Sequence, residues 1–70
     1  MSDTGYVLAR RYIGIGGNRY ESKPKSDYTA VDVFDGEDSY GEADRERVKQ
    51  QRMNPTFVYE IFSKAEWNLN

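Results

Sequence analysis

Neither cysteine nor histidine occurs in this chain of 70 residues. Disulfides, thiolate or imidazole metal sites, and catalysis centred on Cys or His are therefore excluded together. No apolar run approaches the roughly 18 residues that a membrane-spanning helix needs, and the start Met1-Ser2-Asp3-Thr4 lacks the basic character of a signal peptide. The expectation is a soluble, intracellular, cytoplasmic protein without a catalytic residue, a metal site or a cofactor. Proline is scarce too, with only Pro24, read as keeping Lys23 extended, and Pro55, read as ending the helix before it.

Aromatics are plentiful: six Tyr, three Phe and one Trp, each able to bury about 150–250 Å². They matter in one small domain, because a short chain leaves much of its surface exposed and needs nearly all its large apolar groups to fold. A net charge of -2 hides strong segregation. From Arg10 to Lys25 five cations (Arg10, Arg11, Arg19, Lys23, Lys25) face one acid, Glu21; from Ser26 to Glu46 eight acids face one arginine, Arg45. Separate basic and acidic surfaces follow, able to steer partners or to pair with each other.

The most apolar stretch is residues 56–63, TFVYEIFS, opened by Asn54-Pro55. Its β-branched and aromatic content predicts a strand, expected to be the central one, with Phe57, Tyr59 and Ile61 as its core row. Residues 6–13 alternate imperfectly and predict a first strand, Val7, Ala9, Arg11 and Ile13 pointing one way and Tyr6, Leu8, Arg10 and Tyr12 the other. Residues 28–35 predict a second, with Asp32 at an edge or on a half-solvated face.

Between these two strands lies Gly14-Ile15-Gly16-Gly17-Asn18. A dinucleotide fingerprint would need a third glycine where Arg19 stands, and a Walker A loop would need Gly-Lys-Ser/Thr, so these glycines are read as a turn requiring positive φ. Residues 14–27 form an expected mobile basic loop, long for so small a domain and thus a candidate binding surface.

Ser39 and Glu42 have capping-box spacing and predict a helix from Tyr40 to Arg52 or Met53. Pairs at three-residue spacing are expected along it: Glu42 with Arg45, Asp44 with Arg47, Glu46 with Lys49. Its apolar stripe is thin, Tyr40, Ala43, Val48 and the stem of Arg47 or Met53. One side of the sheet is then covered and the other exposed or used. Trp67 and Leu69, in the tail 64–70, either close over that open side or anchor a partner. Residues 1–5 are expected to be a flexible start.

This layout offers three candidate chemistries. The acids Asp32, Asp35, Glu37 and Asp38 do not fit an EF-hand, since placing Gly36 at the sixth loop position puts Val31 at the first. Asp32 and Glu60, on neighbouring strands, offer a carboxylate pair only if they face one another. Arg10, Arg11, Tyr12, Arg19, Tyr20, Lys23 and Lys25 interleave cations with rings, as phosphate contact and base stacking require, but the acidic surface repels phosphate. Arg and Tyr also dominate protein interfaces.

The stretch from Ala30 to Phe62 joins a strand, a charged helix and the closing Pro55-Thr56-Phe57-Val58-Tyr59-Glu60-Ile61. In this layout it resembles small bacteriophage proteins that take over host machinery, including inhibitors and modulators of bacterial RNA polymerase. The resemblance implies a regulator that binds a much larger host protein in the host cytoplasm, and it carries no site residues with it.

The expected architecture is α+β: a three-stranded, mainly antiparallel sheet with one helix on one face, in the order β-β-α-β. The expected function is non-enzymatic protein binding through Arg10, Arg11, Tyr12, Arg19, Tyr20 and Lys23. Direct nucleic-acid binding and a structural or self-associating role stand as alternatives.

Overall fold

A computed structural model describes residues 5–68. Strand β1, Tyr6–Tyr12, is followed by a long connection ending in one 3-10 turn, Lys25–Asp27, then strand β2, Thr29–Phe34. Helix α1, Ser39–Met53, leads to strand β3, Phe57–Ser63, and the one-turn helix α2, Lys64–Trp67. The sheet is antiparallel with order β2-β1-β3, so the α+β, β-β-α-β architecture holds.

The centre of the sheet is β1, and β3 is an edge. This corrects the expectation that the most apolar stretch is central. Three successive residues of β1, Val7, Leu8 and Ala9, are buried, Leu8 completely. Successive side chains of a strand point to opposite faces, so both faces of β1 are covered. Strand β3 is likewise buried on both rows, at Val58 and Tyr59, and not on the Phe57, Tyr59, Ile61 row alone.

Residues directly opposite in a ladder share a face. Tyr6, Leu8 and Arg10 therefore stand with Ser63, Ile61 and Tyr59, and this is the face under α1, where Tyr6 meets Tyr40 edge to face at 5.1 Å. Val7, Ala9 and Arg11 stand with Phe62, Glu60 and Val58 on the other face. There a chain of rings closes the surface, Tyr28 on Phe62 at 5.4 Å and Phe62 on Trp67 at 5.3 Å. That second face is thus covered, not open, and Trp67 is part of the cover. Leu69 and Met1–Thr4 lie outside the described residues.

Helix α1 matches its expected span, and its expected inner face only at Ala43. Ser39 and Ala43 are its buried residues, while Tyr40, Val48 and Met53 are exposed. Positions 39 and 43 are one turn apart, and continuing that row reaches Arg47 and Gln51, both half-buried. The capping box does not form: Asp38 is the cap residue, without a side-chain cap bond, and Ser39 is already helical. Asp38 instead pairs with Arg45 at 3.1 Å, and Glu46 accepts from Gln50 at 2.6 Å; of the expected pairs Asp44–Arg47 is present at 2.7 Å.

The glycine turn is as expected, Gly14 and Gly16 having φ of 74° and 79°. Gly17 is needed for space, since a Cβ there would run into the Ile13 carbonyl. No helix among the described residues is long and apolar enough to cross a membrane.

Burial makes a discriminating prediction. Leu8→Ala empties the most enclosed position of the core and should cost about 2–5 kcal/mol, enough to unfold much of so small a domain. Val48→Ala, on the exposed side of α1, should change stability by about 0.5 kcal/mol or less. Urea unfolding followed by circular dichroism checks both, and a large loss from Val48→Ala would restore the expected apolar stripe.

Candidate binding cleft

The β1–β2 ladder ends at Arg10 opposite Thr29, whereas the β1–β3 ladder continues to Tyr12 opposite Phe57. Tyr28 leaves the sheet to pack on Phe62, so the last residues of β1 have no β2 neighbour. An open cleft of about 510 Å³ lies there, lined by Arg10, Arg11, Tyr12, Lys23, Asp27, Thr29 and Phe57.

Four of the six residues read from the sequence as a binding set, Arg10, Arg11, Tyr12 and Lys23, line this cleft. The Arg10 guanidinium lies 4.1 Å from the centre of the Phe57 ring, a cation–π contact that fixes its stem while leaving polar atoms for a ligand. Tyr12 meets Phe57 edge to face at 5.3 Å and is itself exposed. Lys23 pairs with Glu21 at 3.2 Å, both partly exposed, so the bond is weak and exchangeable.

Arg11 is different. It is only 8% exposed, donates from Nη2 to the Glu21 carbonyl at 3.1 Å, and lies 5.7 Å from the centre of the Tyr28 ring. Its Nε is buried without a hydrogen-bond partner. A buried guanidinium held by one backbone carbonyl and one ring ties the long connection to the sheet, at the expense of an unsatisfied donor.

Arg19 and Tyr20 stand outside the lining. Arg19 donates to the Pro55 carbonyl at 3.3 Å, and Tyr20 is 89% exposed, its backbone N–H donating to the Asn18 side chain at 3.0 Å. The expected basic loop is thus attached at several points: Arg11 to residue 21, Arg19 to residue 55, and Lys25 Nζ to the carbonyls of Glu66 and Trp67 at 2.5 and 2.9 Å.

Sequence reasoning missed Asp27, Thr29 and Phe57. Phe57 had been placed in the core, and only the strand pairing, which sets it opposite Tyr12, makes it a wall of the cleft. The carboxylate pair considered from sequence does not meet: Asp32 is opposite Leu8 and Glu60 opposite Ala9, adjacent β1 residues that face opposite sides. Among the described residues, no group of three or more acidic side chains is arranged to hold a metal ion.

The arrangement suits recognition of a carboxylate beside an apolar or aromatic group, since cations stand at the rim and Phe57 and Tyr12 offer ring surface. No protein-family model, curated protein or solved structure matches the chain.

Trp67 is the chain's one tryptophan and reports on the cover of the second face. Lys25→Ala removes the donor to the carbonyls at Glu66 and Trp67 and should shift Trp67 emission to longer wavelength without loss of the α1 circular-dichroism signal. Unchanged emission would show that the connection holds its place without this contact.

Proposed function

We propose that the protein is a non-enzymatic regulator that acts by binding a larger protein, and that the cleft at the end of β1 receives an acidic segment of that partner. The observation that carries this reading is the convergence of Arg10, Tyr12 and Lys23 with Phe57 around one open cleft. Arg and Tyr are the residue types that supply most binding energy at interfaces, and here they are held in place by ring contacts before any partner arrives. An acidic residue on the partner would replace Glu21 at Lys23 and meet Arg10, while an adjacent apolar group would lie on Phe57 and Tyr12.

The resemblance of residues 30–62 to phage proteins that modulate host transcription makes bacterial RNA polymerase the first partner to test. The acidic run from Asp27 to Glu46, eight acids against one arginine, opposes a nucleic acid, which carries a charge on every residue, more than a protein segment that brings a single carboxylate to the cleft.

The test is capture from a bacterial lysate by the immobilised protein, with mass spectrometry of the bound fraction. Retention of one large complex is expected, and Arg10→Ala combined with Lys23→Ala should weaken it about tenfold or more with the thermal melt preserved. Capture unaffected by the double substitution would overturn the reading. Co-purifying nucleic acid, released steeply as salt rises, would replace it with the nucleic-acid alternative.

A further inference from the structure

The two outer edges of the sheet are treated differently. On β3, the Gln51 side chain acts as a stand-in for a neighbouring strand: its Nε2 donates to the Phe57 carbonyl at 2.6 Å and its Oε1 accepts from the Tyr59 amide at 3.2 Å. Both ladder groups there are already satisfied. On β2, Asp32 Oδ1 accepts from the Val33 amide at 2.8 Å, a contact between adjacent residues that a competing carbonyl can displace.

Strand β2 is also the exposed strand. Residues 29–33 are all exposed, including Val31 at 37% and Val33 at 49%. Val31 is the extra residue of a bulge, since Leu8 is opposite Asp32 and Ala9 opposite Ala30. An edge strand with exposed valines is a template for another extended chain.

Charge decides what that chain is. Asp32 lies in β2 and Glu37 just beyond it, while neighbouring Asp35 and Asp38 are paired with Lys64 and Arg45. A second copy of this protein fits poorly, because two-fold pairing of β2 with itself brings two Asp32 carboxylates within cross-strand reach, and like charges so placed repel. We propose that the free edge of β2 accepts an extended, basic segment of a partner protein as a fourth strand. A lysine or arginine of that segment pairs with Asp32, and a backbone carbonyl takes over the Val33 amide. Of the β2 residues only Thr29 lines the cleft, so this surface is separate from the one proposed above.

The probe is a short peptide alternating lysine with valine, titrated into isotope-labelled protein while backbone amide resonances are followed. Changes are expected at Ala30, Val31 and Val33, with none of similar size at Phe57–Ser63. A glutamate–valine peptide should bind at least about tenfold more weakly, and so should the lysine peptide with alternate amides methylated, which keeps its charge but cannot form a ladder. Asp32→Lys should abolish the response. Asp32→Asn, which keeps an acceptor for the Val33 amide, should weaken it several-fold in a protein whose spectrum shows it folded, and Arg10→Ala should leave it intact. The proposal is overturned if the changes fall on β3 or are absent, if the methylated peptide binds equally, or if Asp32→Asn has no effect.

Discussion

A central strand has to be satisfied on two edges and two faces at once, and β1 imposes that demand on a chain of 70 residues. The edges are met by β2 and β3. One face is met by α1, which packs on all three strands. Among the described residues, nothing of comparable size remains for the other face. It is covered piecemeal, by the ring series Tyr28, Phe62 and Trp67 and by the connection that precedes β2. Arg11 follows from this arrangement. On an open face it would reach water; under a cover it must be desolvated, and one carbonyl and the face of Tyr28 compensate it incompletely.

The same economy shows at the sheet's edges. Gln51 belongs to the row of α1 that faces the sheet, and its amide reaches the β3 edge as a strand would. A polar residue in that row thus has a reason: an apolar side chain would cover as much surface but leave two ladder groups unpaired. Among the described residues, strand β2 has no α1 side chain bonded to its backbone in the same way. Its protection is a bulge and a carboxylate of its own, devices that discourage pairing with like-charged neighbours and leave room for a cationic one.

Strand and helix positions were legible from sequence because their signals are local. Alternation marked β1, β-branched and aromatic content marked β3, and Pro55 marked the end of α1. Strand order is not a local property. Residues 56–63 are the most apolar run, yet hydrophobicity measures how much of a strand is buried, not how many neighbours it has, and β3 is buried against α1 and β1 while remaining an edge. The inner face of α1 was misread for a related reason. Ala43 was legible, but Tyr40 and Val48, though apolar, are exposed, and the helix lying on the sheet buries the small polar Ser39 in their place. For the cleft, the residue types were legible in the charge pattern, and Arg10, Tyr12 and Lys23 came together. The wall supplied by Phe57 depends on a long-range register that no local pattern encodes.

Cover and cleft arise from a single departure. Tyr28 is the residue at which the chain could have extended β2 along β1; instead it sits over Phe62 and Arg11. That ring closes the second face of the sheet, which the fold requires, and by leaving the ladder it ends β2 opposite Arg10, so that Arg11 and Tyr12 project past their neighbour. The space so opened is bounded by the side chains that happen to lie at the end of β1, and these are the most basic and aromatic of the strand. Nearer the start of β1 the same side chains would be flanked by β2 and β3 along their whole length, without the open end that Arg11 and Tyr12 border. The position of the aromatic-basic run within the strand, and not its composition alone, is what makes it a candidate binding site.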